Sequence, residues 1–486
     1  MSAIIAVINK KGQNVTETVA TMLKALDIKS AENFGIASSS VIKIEKSIDD
    51  LRTQEVNSYI AIGHIFSKTI SLDKPQPTRL ENAALVFDGR IYPPPLKISA
   101  AEAIAKTLLQ NYEENAETLV KEVEGDFAFA IAEPEKLIAG RAPMGVRPLY
   151  YGENENFAAI ASARKALWKI EIEKTSSFPP GHAALIDKEG FEFKPVKKLV
   201  YSEPRRMTMQ TAAKELKMLL EQSVRVRVSD LKEVAVAFSG GLDSSIIAFL
   251  AKKSNANIHL IHASLGGQLE TENAKKTAEE LKMPINIHLF KEDDVEKAVP
   301  EVIRLIEEAD PIKTSIGIPV YWTAEKAAER NFKVVLAGQG ADELFGGYKR
   351  YVDTYLTHGN EKTRKTIFND IVRLHETNLE RDSKILNFHN VELRLPFATY
   401  KIAQFALDLP VELKIERTQD SLRKLILRKT AENIGLSQSI VEKPKKAIQY
   451  ATGTNYALQK LARKQKMTVK DYLNLMFQQI KTTNDP

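Results

Sequence analysis

The chain contains no cysteine. That absence excludes disulfides, cysteine-ligated zinc, iron–sulfur clusters and thiol nucleophiles together. No run of about 18 apolar residues is present, so no segment reads as a membrane-spanning helix. Internal repeats and low-complexity stretches are also missing. The apolar start, residues 3–8, lacks a basic leader and is followed at once by Lys10 and Lys11. Such a pattern fits a buried strand and not a signal peptide, and a cytoplasmic, soluble protein is the expectation. Net charge is only +6 over 486 residues. This is compatible with a phosphate-rich ligand but too dilute for a nucleic-acid surface. With 43% hydrophobic and 27% charged residues the composition is globular. The length exceeds what one core organises, so two domains are expected.

Up to about residue 200 the apolar runs are short and strand-like: 3–8, 58–62, 83–87, 127–132, 137–138, 157–162 and 183–186. Turn signals at Asp88-Gly89 and Pro179-Pro180-Gly181 punctuate them. This predicts a strand-rich α+β domain. A charged segment carrying Pro195 and Pro204 then marks a boundary, giving domains 1–205 and 206–486. Beyond it, strand candidates 233–238, 257–264, 285–290 and 332–338 are interspersed with helical patterns such as 245–253 and 270–282. Strands alternating with helices imply right-handed crossovers and a doubly wound parallel sheet, with ligands at the carboxyl ends of its strands. After about residue 400 the pattern is helical, as in Leu422, Leu425, Ile426 and Lys429 and again over 469–477.

The strongest local signal is the apolar run 234–238 leading into Ser239-Gly240-Gly241-Leu242-Asp243-Ser244-Ser245 and an apolar helix. Glycines let the backbone turn tightly, and exposed amides at a helix N-terminus attract an anion. No Gly-Lys-Ser/Thr follows, so this is not a Walker loop, and hydroxyls supply the donors. Asp243 is a carboxylate among anion-binding groups, which calls for a Mg²⁺ bridging it to phosphate. An ordinary capped turn needs one hydroxyl or carboxylate, and this loop has four. A second strand candidate opens into Ala337-Gly338-Gln339-Gly340-Ala341-Asp342-Glu343-Leu344-Phe345-Gly346-Gly347-Tyr348. Its carboxylates suit a further contact to Mg²⁺ and pyrophosphate.

The first loop resembles the signature of N-type ATP pyrophosphatases, and the second resembles the glycine-rich acidic loop of glutamine-dependent asparagine synthetases. Three further segments follow in that family's order. Val391-Glu392-Leu393-Arg394-Leu395-Pro396-Phe397 is similar to its Glu-x-Arg-x-Pro-Phe segment, with Ala398-Thr399 in place of Leu-Asp. Ser421-Leu422-Arg423-Lys424-Leu425-Ile426-Leu427-Arg428 resembles the helix before the C-terminal lysine motif, and Lys443-Pro444-Lys445-Lys446 the motif itself. In the N-terminal half, Gly140–Tyr151 and Glu124–Ala130 resemble scaffold motifs of class II glutaminase domains.

The resemblance covers nearly the whole chain. It implies an N-terminal nucleophile-like α+β sandwich followed by an α/β PP-loop domain with a helical C-terminal part. It further implies an ATP-dependent, AMP-forming amide ligase. Ser239, Gly240, Gly241, Asp243, Ser244 and Ser245 would hold pyrophosphate, and Ala237, Leu265, Ala337 and Gly338 would line the adenine pocket. Asp243 and Asp342 would bind Mg²⁺, Lys445 takes the catalytic lysine's place, and Gln339 stands where the family has an acidic residue.

The glutaminase half departs from the family at its reactive positions. Ser2 replaces the nucleophilic cysteine, Phe66 the glutamine-binding arginine, Asp88-Gly89 the oxyanion-hole Asn-Gly, Arg90 the glutamate that follows it, and Ala100 the ammonium-holding aspartate. These losses imply a silent glutaminase and a synthetase using free ammonia, with aspartate or another carboxylate as acceptor; a homodimer is left open. Two other readings are a β-lactam-synthetase-like ligase and a non-catalytic nucleotide-binding scaffold. Retention of the block 342–348 favours the asparagine type over the first. Joint retention of Asp243, Asp342 and Lys445 weighs against the second.

Overall fold

A computed structural model describes residues 2–29, 31–52, 56–108, 111–418, 422–444 and 447–483. The chain forms two compact units: Met1–Lys198 with Asn387–Glu392, and Leu199–Leu386 with Leu393–Pro486.

The first unit is built on two antiparallel sheets. In the seven-stranded sheet, Ser2–Asn9 lies between Phe157–Ala161 and Ile60–Phe66. In the six-stranded sheet, Gly125–Ala132 lies between Leu137–Arg141 and Ala84–Ile91. These central strands read as continuous apolar runs because both of their faces are covered. Ile4, Ala6, Ile60 and Ile62 meet Ala84, Val86, Ala128 and Ala130 between the sheets. The opposite face, with Ile5 and Val7, packs on Val19, Met22 and Leu23 of helix Thr16–Leu26. Outside the second sheet, Phe127 and Phe129 pack on Ile104 and Leu119 of helices Ala100–Thr107 and Tyr112–Glu122. The result is an αββα sandwich.

One expected turn is absent. Asp88-Gly89 lies inside strand Ala84–Ile91, opposite Ala128 and Phe127. Gly89 has φ +138, and a Cβ there would fall 2.1 Å from the Asp126 carbonyl oxygen. Here the glycine serves a close approach between strands, which overrides its turn propensity.

The second unit carries strands Ile285–Phe290, Asn257–Leu265, Glu233–Ala237 and Val334–Leu336 in that order, with Leu393 and Arg394 of strand Glu392–Arg394 at the edge of the five-stranded sheet. The first four pair in parallel. The chain leaves Glu233–Ala237 toward one side and later returns on the other, so a crevice opens at its carboxyl end. Helix Leu242–Lys253 begins there. The predicted strand 332–338 shortens to Val334–Leu336, and the Ala337 amide that follows donates to the Arg394 carbonyl oxygen of the neighbouring strand. Arg394, with no exposed side-chain surface, fixes that edge through the Asp230 carboxylate at 2.5 and 2.9 Å and the Arg227 carbonyl oxygen at 2.6 Å. The C-terminal part is helical, through Leu425–Ile434, Thr454–Lys464 and Val469–Thr483, and Leu422 lies outside the first of these. No helix of the described residues is long and apolar enough to cross a membrane.

A buried cation in this unit gives a stability test. Lys414 follows the turn Val411–Leu413 and is almost wholly buried. Burial, with repulsion from Arg364, pushes its ammonium down to about 7, against a weaker pull from Asp408. Between that value and the ordinary 10.5 the unfolded chain binds a proton that the folded chain does not. Stability therefore rises with pH through this window, by about 1.4 kcal/mol for each pH unit, and below the window the full cost of the buried charge is present. Lys414→Met should raise the melting temperature at neutral pH and flatten its rise toward alkaline pH, both read by calorimetry.

Candidate active site

The phosphate loop is built from the strand upward. Glu233–Ala237 brings Ser239 to the crevice, and Gly240 then takes φ +67. A Cβ on Gly240 would lie 2.6 Å from the Ala274 backbone, so both conformation and space demand glycine. The loop is internally tied. The Gly241 amide donates to Ser239 Oγ at 3.3 Å, and Ser244 Oγ donates to the Gly241 carbonyl at 3.2 Å. Ser245 is wholly buried, and its hydroxyl has no hydrogen-bond partner among the described residues.

The rear of the loop is held by the lysine-rich segment. Lys443 Nζ donates to the Gly240 carbonyl at 2.9 Å and to Thr277 Oγ1 at 3.2 Å, and burial lowers its pKa. Arg428, from helix Leu425–Ile434, donates to the carbonyl oxygens of Val441 and of Lys443, the latter at 3.0 Å. Lys445 lies outside the described residues.

Ala237, Leu265 and Ala337-Gly338 end three adjacent strands or follow them directly, with Ala237 opposite Ile261, four residues before Leu265. The two loops touch: a Cβ on Gly338 would lie 3.1 Å from Asp243 Cβ. Asp243 and Asp342 converge on one nitrogen. Lys424 Nζ is 2.8 and 2.7 Å from the Asp243 oxygens and 2.6 Å from Asp342 Oδ1. The Lys424 side chain is 3% exposed. A Cβ on Gly347 would lie 2.0 Å from Asp342 Oδ1 and 2.5 Å from Lys424 Cε, which explains the second glycine of that pair.

Lys424 thus supplies Asp243 with a cation of the chain's own. Among the described residues no three side chains of metal-ligating type cluster. Two carboxylates meeting at one cation still fit Mg²⁺, which commonly takes one or two protein carboxylates and fills its remaining positions with phosphate and water.

Beside this centre runs a hydrogen-bonded chain. Gln339 Nε2 donates to Asp382 Oδ2 at 2.8 Å, and Arg381 Nε donates to Asp382 Oδ1 at 2.7 Å. Arg381 Nη1 reaches Asn378 Oδ1 at 3.3 Å, and Asn378 Nδ2 donates to Glu343 Oε1 at 2.7 Å. Tyr348 closes the chain on the same Glu343 oxygen at 2.6 Å. Burial, and then the Asp342 charge, raise the Glu343 pKa. An ionised carboxylate only accepts, so Asp382 fixes which end of the Gln339 amide faces it.

The first unit has a polar pocket lined by Ser2, Phe66, Asp88, Gly89, Arg90 and Ala100 among others. Ser2 Oγ donates to Asp88 Oδ1 at 2.7 Å, and burial raises the Asp88 pKa. Arg90 donates to both Asp73 oxygens at 2.5 and 2.8 Å and to Glu392 Oε2 at 2.8 Å. Its charge is balanced by these two carboxylates.

The asparagine synthase family model matches residues 215–474, more than half of the chain. The chain belongs to the asparagine synthase family. A glutamine amidotransferase domain model matches residues 71–169. A protein named as a candidate glutamine-hydrolysing asparagine synthetase from Methanocaldococcus jannaschii is 29% identical over 99% of both chains. The glutamine-hydrolysing asparagine synthetase B of Escherichia coli is 27% identical over 72% of this chain and 65% of its own. Among solved structures, a glutamine phosphoribosylpyrophosphate amidotransferase from B. subtilis aligns with TM-score 0.35 and 12% identity, over 59% of this chain and 90% of that one. At that score the likeness carries no argument.

As a member of the asparagine synthase family the chain is an ATP-dependent ligase. Several residues around its candidate sites escaped the sequence reading. Lys424, Lys443 and Arg428 sit inside segments that carry the family resemblance, so position marked them while their partners did not. Asp382, Asp73 and Glu392 form ion pairs whose members lie far apart or in no motif.

Proposed function

We propose that the chain is an AMP-forming amide ligase of asparagine synthetase type, joining free ammonia to the side-chain carboxylate of aspartate. The observation that carries this reading is the meeting of Asp243 and Asp342 at one cation beside the Ser239–Ser244 loop. Ser239, Gly240, Gly241 and Ser244 hold the β and γ phosphates through amides and hydroxyls, while Ala237, Leu265, Ala337 and Gly338 pack on adenine. Asp243 and Asp342 would hold Mg²⁺, which when bound offsets charge on the departing pyrophosphate.

The substrate carboxylate attacks the α-phosphorus, pyrophosphate leaves, and an acyl adenylate forms. Ammonia then displaces AMP. Gln339 is no base at neutral pH. Its amide, oriented by Asp382, is a hydrogen-bonding group for the acyl centre. Lys445, two residues beyond the anchored Lys443, stabilises charge developing on the α-phosphate.

The test is carboxylate-dependent ATP–pyrophosphate exchange over a panel of amino acids. Aspartate should support exchange. A protein that exchanges with none of the panel would be a nucleotide-binding scaffold, and one that prefers a larger carboxylate a different ligase. A mutant separates transition-state from ground-state roles: Lys445→Ala should lower kcat and kcat/KM by similar factors. A change confined to the KM for ATP would make this lysine a binding contact.

A further inference from the structure

We propose that Lys424 is an internal counter-ion that keeps free divalent cations out of the Asp243–Asp342 site, so that metal enters only together with the triphosphate. The inference rests on the metal assignment above and adds the order in which that site fills.

Lys424 Nζ lies 2.7 Å from Asp243 Oδ2 and 2.6 Å from Asp342 Oδ1, in contact with both carboxylates at once. A Mg²⁺ held by both carboxylates needs oxygens at about 2.0–2.1 Å. It cannot sit between them while the ammonium does. The lysine is also constrained to be there. Its backbone has φ +62 at the start of helix Leu425–Ile434, its side chain is buried, and the Gly346-Gly347 turn leaves room for its Cε only because Gly347 lacks a side chain.

Charge decides the competition. Two carboxylates and one ammonium leave a single negative charge, so an arriving dication meets a largely neutralised site. It must also displace a cation that is covalently tethered and gains no translational freedom on leaving. When a triphosphate fills the neighbouring loop, both obstacles fall. Phosphate oxygens offer the ammonium a new anionic partner and give the metal additional ligands. Metal and nucleotide therefore bind with positive coupling, and Lys424 is the residue that creates it.

The experiment is a Mn²⁺ titration of the full-length protein followed by the electron paramagnetic resonance signal of free Mn²⁺, with α,β-methylene-ATP as nucleotide. Without nucleotide the unaltered protein should bind Mn²⁺ weakly. Lys424→Gln should bind it at least about tenfold more tightly, and Lys424→Arg, which keeps the cation, should behave as the unaltered protein. Equal nucleotide-free affinity in Lys424→Gln and the unaltered protein would overturn the counter-ion role. So would tight nucleotide-free binding by the unaltered protein, a result that needs no variant to fold. A distinct failure is an unaltered protein whose spectrum of added Mn²⁺–nucleotide does not change on binding. That outcome removes the metal assignment itself, and with it this inference.

Discussion

Carboxylate-dependent ATP–pyrophosphate exchange should fall about 10³-fold in Asp243→Asn, a loss of about 4 kcal/mol of transition-state stabilisation. Asp342→Asn should follow closely. The asparagine keeps the shape of the side chain, so the loop's own bonds through Ser239, Gly241 and Ser244 are left intact. What is lost is one of the two negative charges that face Lys424 and would face Mg²⁺. Each variant should consequently need more Mg²⁺ for half-maximal exchange while its KM for the amino acid moves little. Exchange within a few-fold of the unaltered protein in either variant would remove these carboxylates from the reaction. They would then be partners of Lys424 and nothing more.

The second large effect concerns the nitrogen donor. Ammonium should support amide formation and glutamine should not, with glutamate release no higher than in a Ser2→Ala control. Chemistry alone does not forbid an N-terminal serine nucleophile. The pocket argues against it on three grounds. Ser2 Oγ donates to a buried carboxylate, Asp88, where an oxyanion hole needs a donor. Phe66 carries no charge for an α-carboxylate. Arg90, whose guanidinium would otherwise be a free anion contact, already spans Asp73 and Glu392. A lost charge-assisted pair costs about 1.5–3 kcal/mol. Ser2→Cys restores a nucleophile to a pocket that still has no clamp, and should remain silent with glutamine. Glutamate release above the control in the unaltered protein would show that the domain works through other contacts.

Much of the second unit's sheet was legible because its strands are short, apolar and separated by helical periodicity. Two loops rich in glycine and hydroxyls marked its crevice. The first unit was harder. Its central strands were found as apolar runs, but edge strands such as Ile42–Glu45 and Gly190–Pro195 place charged residues at alternate positions and so form no apolar run. Asp88-Gly89 misled because the same dipeptide serves a turn or a close strand crossing, and only the partner Phe127 distinguishes them. In the candidate sites, the residues proposed for the chemistry lie in recognisable motifs, and the pairings that hold them were not legible. Lys424 pairs with a carboxylate 181 positions away, and Arg90 with one 302 away. No local spacing encodes such pairs, since they arise only when the sheets assemble.

The ion pairs around Arg90 also bear on the order in which substitutions are tolerated. Removing Arg90 alone leaves Asp73 to the Thr69 and Ile70 amides and Glu392 to Arg147 at 3.9 Å, and breaking a buried pair costs up to about 3–5 kcal/mol against a total stability of about 5–15. Exchanging it for the family's glutamate adds a third carboxylate to the same space. Neutralising Asp73 or Glu392 first leaves the guanidinium short of partners. Single steps that remove one of these charges thus tend toward a less stable protein. The pocket behaves as a ratchet: the three residues can be replaced together far more readily than in sequence, and a lineage that has acquired them is held there by folding, independently of any selection on the reaction.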